Sequence, residues 1–303
     1  MTETQHRDPN RDPRDQFDRL MHAMQQHQAG HLQEAENLYR ELLADDPDDA
    51  NALHLLGMLA HQVGLSARGA RLIEKALELM PGSPLFNSNL GEVYLALNEL
   101  DRARACLLDA TRAEPELVPP LYNLGECYRR SGQLQQAENC LQIVLQKHPQ
   151  HAGAMVGLSQ IRIDLKQFKT AEQLLQSALA ASPDHLQALF SMARLQSEQG
   201  QFGNAEESLR RILQHDPDHA PAYNNLGNAC MELGRFEEAA DAFQAAVDLV
   251  PDNVGMRQNL ALALIERQQP DAAIPHLEYA LGLAPDNPHI RSLLDKATNQ
   301  PPG

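Results

Sequence analysis

Proline recurs every 34 residues over most of this chain. With 19 prolines among 303 residues, a given position would hold proline about once in sixteen, so a long unbroken run is not coincidence. The run has no insertion or deletion and comprises Pro47, Pro81, Pro115, Pro149, Pro183, Pro217, Pro251 and Pro285. A fixed period of this length predicts a stack of similar supersecondary units, none of which can bury its hydrophobic face alone.

Two further columns keep the same period and hold only small residues. The column 24 residues before each proline consists of Ala23, Gly57, Gly91, Gly125, Ser159, Ala193, Gly227 and Ala261. The column 12 residues before it consists of Ala35, Gly69, Ala103, Ala137, Ala171, Ala205, Ala239 and Ala273. Small residues allow two helices to cross closely, so each unit is predicted to be a pair of helices, A and B. A turn that often contains Gly separates the two helices, and a Pro-Asp type turn follows helix B.

These columns predict an all-α protein, a right-handed α-solenoid of eight 34-residue helix–turn–helix repeats. The predicted repeats are 16–49, 50–83, 84–117, 118–151, 152–185, 186–219, 220–253 and 254–287. Residues 288–299 carry Ile290, Leu293 and Leu294 on one side, which predicts a capping helix that closes the stack. Residues 1–15 and 300–303 are predicted to be solvated tails, and no second domain is expected.

The charge balance argues against two classes of partner. The chain has 25 Lys and Arg against 41 Asp and Glu, a formal net charge of −16. This balance repels phosphate backbones and anionic membrane surfaces, so neither nucleic acid nor membrane is an expected partner. The N-terminal residues contain no apolar run, and no later stretch is long and apolar enough to span a membrane. A cytoplasmic location is therefore expected.

Motifs that carry chemistry are missing from the sequence. It contains no G-x-G-x-x-G, phosphate loop, H-E-x-x-H or G-x-S-x-G motif, which predicts a non-enzymatic protein without a cofactor. Three histidines are expected to face one groove, with His27 equivalent to His61 one repeat earlier and His54 seven residues before His61. They lack the fourth ligand and the supporting carboxylates of a structural metal site, so no metal is expected. The cysteines lie in helical patterns without a C-x-x-C pair and are predicted to be reduced core thiols: Cys106, Cys127, Cys140 and Cys230.

A 34-residue helix–turn–helix unit with a Leu-Gly pair, a central Ala and a terminal Pro resembles the tetratricopeptide repeat, over residues 16–287. The resemblance implies that helix A of each repeat lines a concave surface that binds proteins or peptides. Residues 31–57, HLQEAENLYRELLADDPDDANALHLLG, are also similar to the repeat arm of O-linked N-acetylglucosamine transferase-type proteins, although no transferase domain follows. The family's aromatic position three residues after the Gly is kept only in Tyr94 and Tyr128.

Asparagine recurs 26 residues before the repeat proline, on the face of helix A expected to be concave. The column holds Asn89, Asn123, Asn225 and Asn259 and is interrupted by Gly157 and Ser191. Asparagine is a poor helix former, so local stability does not explain it. Two interpretations remain open. The carboxamides pack between neighbouring helices, or they bind the backbone of an extended peptide, as the resemblance to the asparagine ladder of the transferase arms implies.

Four further side chains are predicted to face the same groove and anchor the ligand, because aromatic residues and Arg dominate binding interfaces. They are Tyr122, Arg129, Phe190 and Arg194. The sequence therefore predicts a non-enzymatic scaffold that binds an extended peptide or partner protein in the concave groove. The alternative is a substrate-recruiting or regulatory partner of a separately encoded glycosyltransferase or other modifying enzyme. The sequence carries no signal for a particular oligomeric state.

Overall fold

A computed structural model describes residues 13–299 of the chain, which form seventeen α-helices and no strand. The chain divides into two compact units, Met1–Pro149 and Gln150–Gly303, and each is described by itself. Residues 1–12 and 300–303, which belong to the predicted tails, lie outside the described residues. Helix α1 begins at Pro13, so the last three residues of the predicted N-terminal tail are helical.

The first unit consists of four helix pairs in sequence order. Its helices are α1 (Pro13–Gln28), α2 (Leu32–Asp45), α3 (Ala50–Gln62), α4 (Ser66–Leu79), α5 (Pro84–Ala96), α6 (Leu100–Ala113), α7 (Val118–Arg130) and α8 (Leu134–Lys147). Each helix packs on the next, and α1, α3, α5 and α7 also pack on one another in succession. The odd-numbered helices are the predicted helices A and the even-numbered ones the predicted helices B.

The second unit also consists of four helix pairs in sequence order, each helix packing on the next, and adds a last helix. Its helices are α9 (Ala152–Asp164), α10 (Phe168–Ala181), α11 (Leu186–Glu198), α12 (Phe202–His215), α13 (Ala220–Glu232), α14 (Phe236–Leu249), α15 (Val254–Glu266), α16 (Pro270–Leu283) and α17 (Pro288–Asn299). Helix α17 packs on α16 and α15, with Ile290 and Leu293 buried. The consecutive packing of helix pairs confirms the predicted all-α solenoid class. None of the helices between residues 13 and 299 has the length and apolar character needed to cross a membrane.

Each pair is held together by a small residue of helix A facing a large residue of helix B. A Cβ atom added to Gly91 would lie 2.5 Å from Cγ of Leu107, and one added to Gly227 would lie 2.6 Å from Cδ1 of Phe243. The large residues lie eight positions before the repeat proline, and sequence interpretation did not identify them as a column. Each is at most 1% exposed: Tyr39, Ile73, Leu107, Leu141, Leu175, Leu209, Phe243 and Leu277.

The turn between helix A and helix B has the same backbone conformation in every pair. One residue per turn has a φ between 58° and 84°: Gly30, Gly64, Asn98, Gly132, Lys166, Gly200, Gly234 and Gln268. The N–H of the next residue donates to the carbonyl five positions earlier, at 2.8 Å from Leu65 to Ala60 and 2.9 Å from Gln269 to Leu264. This is the Schellman stop signal. Three pairs form it without glycine, although a left-handed conformation is unfavourable for a residue with a Cβ.

In six of the helices A, the side chain two residues after the repeat proline caps the start of the helix, whereas α7 has Leu117 there and no side-chain cap. Asp49, Ser83 and Asn253 accept hydrogen bonds from backbone N–H groups of the first turn, as capping residues normally do. Histidine does the same in α9, α11 and α13, where the Nδ1 atoms of His151, His185 and His219 accept backbone N–H groups at 3.1, 3.2 and 3.0 Å. An imidazole that accepts at Nδ1 is neutral and carries its proton on Nε2.

The close crossing can be tested with two glycines of the second unit. Gly227→Ala forces Cβ against the ring of Phe243, so we expect a loss of about 1–3 kcal/mol in unfolding free energy. Gly203→Ala is the matched control, because no heavy atom lies within 4 Å of its added Cβ; it should be stabilising by about 0.4–1 kcal/mol. Urea unfolding followed by circular dichroism measures both. Equal midpoints for the two variants would contradict the crossing geometry.

Candidate peptide-binding surface

Two members of the asparagine column, Asn89 and Asn259, form hydrogen bonds between successive helices A. Nδ2 of Asn89 in α5 lies 2.8 Å from Nε2 of His54 in α3, and Nδ2 of Asn259 in α15 donates to Oδ1 of Asn224 in α13 at 2.9 Å. In both cases the partner belongs to the preceding repeat. Asn89 and Asn259 therefore use their carboxamides to join helices, which agrees with the packing interpretation.

The other two members of the column have different surroundings. Asn123 is half-buried and makes no side-chain hydrogen bond within the described residues. Oδ1 of Asn225 lies 3.5 Å from Nδ2 of its neighbour Asn224, at the limit for a hydrogen bond. The donor groups of Asn123 and Asn225 therefore remain available to a ligand.

Two predicted site residues, Arg194 and Asn225, line one cavity of about 490 Å³ between α11 and α13. The rest of its lining comprises Ser197, Glu198, Phe202, Asn228 and Glu232. Sequence reasoning missed these residues, although Asn228 follows Asn225 by three positions and so shares its helix face. The cavity lining combines one aromatic ring with carboxamide, hydroxyl and charged groups, so it is mostly polar and offers hydrogen-bonding groups rather than an apolar pocket.

The charges around the cavity are largely paired. Nη2 of Arg194 lies 2.6 Å from Oδ1 of Asp164, and Nζ of Lys166 lies 2.6 Å from Oε2 of Glu198. The hydrogen bond from Lys166 lowers the pKa of the Glu198 carboxyl. Glu232 is exposed and has no charged or hydrogen-bonding partner for its side chain between residues 13 and 299. The cavity therefore presents one uncompensated negative charge.

The remaining predicted anchors lie elsewhere. Nη2 of Arg129 in α7 lies 2.9 Å from Oε2 of Glu126, so this guanidinium is already held by its own helix. Tyr122 on the same helix is half-buried, and burial raises the pKa of its hydroxyl to about 12. The ring of Phe190 packs against His219 at a centroid distance of 5.6 Å. The 490 Å³ cavity thus brings together two of the eight predicted residues.

The three histidines considered as metal ligands make separate contacts. His54 is 3% exposed and stacks on Phe86 at 4.3 Å between ring centroids. Burial lowers the pKa of His54 to about 4. His27 contacts the hydroxyl of Tyr39 and the amide of Gln62, while His61 contacts the hydroxyl of Ser66. Because an amide nitrogen only donates, Nε2 of His54 accepts from Asn89 in the neutral ring.

One group of potential metal ligands occurs within residues 13–299. Its ligand atoms, from Glu206, Cys230 and Glu238, lie within 4.8 Å of one another. Two guanidinium groups already bind the carboxylates. Arg235 donates to Glu206, and Arg210 lies 2.9 Å from Glu206 and 3.4 Å from Glu238. Burial raises the pKa of the Cys230 thiol, so it resists becoming the thiolate that binds metals. The group is an ion-pair network that joins two repeats.

The four cysteines are free thiols. Cys127 and Cys230 are buried, whereas Cys106 and Cys140 are half-buried. Burial raises the pKa of all four thiols, which keeps them protonated and unreactive.

Two sequence profiles described as tetratricopeptide repeat match the chain. One covers residues 60–124, 128–195 and 231–297, and the other covers residues 20–84 and 190–254. The first profile alone spans more than half of the chain. The chain belongs to the tetratricopeptide repeat family. Repeats of this family are typical protein-interaction scaffolds, and the likeness is to the family, not to the transferase arms in particular.

Each alignment of this tetratricopeptide repeat chain with a known protein includes only part of one or both chains. Human tetratricopeptide repeat protein 7A is 31% identical over 85 residues, which is 28% of this chain and 10% of that protein. A chain in the crystal structure of the APC/C hetero-tetramer Cut9–Hcn1 superposes with a TM-score of 0.73 at 19% identity, over 92% of this chain and 55% of that chain. This chain thus spans about a tenth of the first protein and about half of the second.

A similar match is PilW, described as a widely conserved type IV pilus biogenesis factor. It superposes with a TM-score of 0.63 at 20% identity, over 70% of this chain and 98% of PilW. At such identities the likeness to solved structures shows the fold alone.

Two asparagines of the column should respond differently to truncation. Asn89→Ala leaves the buried Nε2 of His54 without its donor, so we expect a loss of about 1–3 kcal/mol in unfolding free energy. Asn123→Ala removes no hydrogen bond and improves helix propensity, so stability should stay level or rise by up to about 0.7 kcal/mol. Thermal unfolding of both variants is the measurement, and a loss at Asn123 as large as at Asn89 would contradict these contacts.

Stability should also depend on the protonation of His54. Its pKa is lower in the folded chain, so the unfolded chain takes up a proton as pH falls from 6.5 toward about 4, and the folded chain does not. The unfolding free energy should fall over this range, by roughly 3 kcal/mol at most from this group. His54→Gln should reduce the slope of stability against pH, while His148→Gln, in an exposed turn, should not. Identical slopes for the chain and its His54→Gln variant would refute this assignment.

Proposed function

We propose that this chain is a non-enzymatic scaffold that binds an extended segment of a partner protein along the helix A surface of its second unit. The observation that carries the proposal is the convergence of Arg194, Phe202, Asn225 and Asn228 on one cavity of about 490 Å³. This cavity is referred to below as the α11–α13 pocket.

The chemistry of the pocket suits a polypeptide main chain. A carboxamide offers donors and an acceptor that match the C=O and N–H of a peptide group, so Asn225 and Asn228 can bind main chain whatever its side chains are. The Phe202 ring, which is half-buried, provides a surface for an apolar side chain. The net charge of −16 supports a protein partner over nucleic acid or an anionic membrane.

The alternative, a recruiting partner of a separately encoded glycosyltransferase or other modifying enzyme, draws on the resemblance of the asparagine column to the ladder of the transferase arms. The inter-repeat hydrogen bonds of Asn89 and Asn259 occupy half of that ladder. The proposal of a general peptide scaffold requires only the α11–α13 pocket and is therefore preferred. The absence of catalytic motifs from the sequence supports a non-enzymatic role.

The proposal is tested by selecting peptides from a random phage-displayed library on the full chain and measuring their affinity by fluorescence anisotropy. The double variant Asn225→Ala/Asn228→Ala should weaken binding about 5- to 150-fold, because the loss of one hydrogen bond of about 0.5–1.5 kcal/mol at each carboxamide costs about 1–3 kcal/mol in total. The control is Asn139→Ala/Asn204→Ala, which truncates two exposed asparagines of helices B and should leave affinity unchanged.

Two results would overturn the proposal. One is a library that yields no peptide binder. The other is a set of binders whose affinity is the same for the pocket variant and the control variant. Melting temperatures close to that of the parent chain for both variants show that any loss of binding is not a loss of fold.

A further inference from the structure

The first unit contains a cavity at the same repeat positions as the α11–α13 pocket. Its volume is about 330 Å³, and its lining comprises Met24, His27, Gln28, Tyr39, Leu55 and Gln62. We name it the α1–α3 pocket. Moved along the chain by five repeats of 34 residues, five of these positions become lining residues of the α11–α13 pocket, namely Arg194, Ser197, Glu198, Asn225 and Glu232.

The two pockets differ in chemistry although they share their place in the repeat. Met24 replaces Arg194, and Leu55 replaces Asn225. None of the six residues that line the α1–α3 pocket is Lys, Arg, Asp or Glu. A charged ligand group would therefore lose water there without gaining an opposite charge from the lining, which is unfavourable, whereas an apolar group matches Met24 and Leu55.

A chain of hydrogen bonds fixes the polar side of the α1–α3 pocket. The hydroxyl of Tyr39, which is 0% exposed, lies 3.3 Å from Nδ1 of His27, and Nε2 of His27 lies 2.7 Å from Oε1 of Gln62. In the neutral ring Nε2 donates to Gln62, and Nδ1 accepts from Tyr39. This chain joins α2 to α1 and α1 to α3, and α1 also packs on α3. The pocket is therefore formed before a ligand arrives.

The buried hydroxyl is specific to this repeat. Tyr39 occupies the position eight residues before the repeat proline, where the other seven repeats have Ile, Leu or Phe. Its ring fills the space between the helices of the pair as those residues do, but its hydroxyl reaches His27.

An exposed apolar stripe on α1 leads into the pocket. Phe17 is 60% exposed and Met21 is 46% exposed. With Met24 they follow one another at four- and three-residue spacing, so all three lie on one face of the helix. Met21 and Leu55 occupy, in the first two repeats, the position of the asparagine column. Contiguous exposed apolar groups of this kind mark interaction sites.

The rest of this chain offers no apolar segment to cover the stripe. Residues 1–12 contain one large apolar side chain, Met1, and residues 300–303 read QPPG. The rim of the pocket instead suits a polypeptide from outside. Gln28 is exposed and makes no side-chain hydrogen bond within the described residues, and Gln62 keeps its amide N–H groups after accepting from His27. These carboxamides match the main chain of a peptide.

We propose that the α1–α3 pocket is a second binding site, which takes a Leu, Met or Phe side chain from an extended partner segment whose neighbouring residues are uncharged. Met24 and Leu55 contact the apolar side chain, and Gln28 and Gln62 bind the main chain. A volume of about 330 Å³ is at the lower end for ligand pockets, which suits a side chain. The inference rests on the proposed function only in taking a protein segment as the ligand, and it does not require the α11–α13 pocket.

The test selects peptides from a random phage-displayed library on the full chain, after depletion of the library on the variant Met24→Gln/Leu55→Asn. Gln160 and Asn89 occupy the equivalent positions of other repeats, so the fold accommodates both replacements. The surviving peptides should share a Leu, Met or Phe without charged neighbours. Replacing that residue by Ala or Lys should weaken binding about 5- to 50-fold in fluorescence anisotropy, because its apolar surface is no longer buried.

The matched control is Leu79→Asn/Met80→Gln, which makes the same two replacements at exposed positions at the end of α4. It should change the affinity of the selected peptides less than about twofold. If Met24→Gln/Leu55→Asn melts well below the parent chain, Met24→Gln alone, at a half-buried position, supplies the comparison.

Nuclear magnetic resonance of methionine methyl groups locates the bound peptide on the full chain. The signals of Met21 and Met24 should shift on binding, while those of Met231 and Met256 in the second unit should not. A library that leaves no binder after depletion, binders with a charged anchor residue, or equal losses in the pocket variant and the control variant would each contradict the inference. So would a dimer of the parent chain that dissociates in Met24→Gln/Leu55→Asn, because the occupant would then be a second copy.

Failure of this inference differs from failure of the proposed function. Peptides of the α1–α3 pocket should bind Asn225→Ala/Asn228→Ala as tightly as the parent chain. If every selected peptide loses affinity for that variant and none for Met24→Gln/Leu55→Asn, the α1–α3 pocket is wrong and the proposed function stands. The reverse pattern supports the α1–α3 pocket and rules out the α11–α13 pocket.

Discussion

The close crossing of helix A over helix B determines the rest of this structure. At Gly69 the crossing is so tight that an added Cβ would lie 2.5 Å from the carbonyl oxygen of Gly57, which means that the two backbones are in contact. Such a contact leaves each pair little freedom to rotate, since protein interiors are close-packed and resist volume changes. Because each pair is rigid, helix A of one repeat meets helix A of the preceding repeat in a repeated register, and Asn89 reaches His54 as Asn259 reaches Asn224.

The sequence was sufficient to predict the fold because its constraints act on the backbone and repeat eight times. A proline ends each helix B, and a small column permits each crossing, whatever the surrounding side chains are. The exceptions are informative. Asn98, Lys166 and Gln268 take the left-handed conformation that glycine takes in the other turns, because the Schellman hydrogen bonds and the packed helices on both sides fix that conformation. The backbone conformation of the turns is therefore more uniform than their residue types suggest.

The candidate site was predictable only in part, because it depends on side-chain directions between repeats. Spacing placed the asparagines on one face of helix A, but whether a carboxamide meets a neighbour or remains available depends on what the preceding helix presents. His54 and Asn224 accept a hydrogen bond from the next repeat's asparagine, whereas Asn123 has no partner in the described residues. These partner residues lie 27 positions before the repeat proline, where every repeat has a different residue type. The repeating columns of the sequence therefore do not predict which asparagine finds a partner.

A residue that lowers helix stability can serve either packing or ligand binding. The two roles can be distinguished by whether a contact within the chain offsets that loss of helix stability. Asparagine inside a helix is unfavourable, yet at Asn89 the hydrogen bond to the buried ring of His54 compensates for it, so no ligand is needed to explain it. A carboxylate at a helix end is also unfavourable, and at Glu232 the described residues supply no compensation. By this criterion the groups of the α11–α13 pocket that have no partner in the described part of the chain, Glu232, Asn228 and the amide donor of Asn225, are the ones that the proposed function assigns to a ligand.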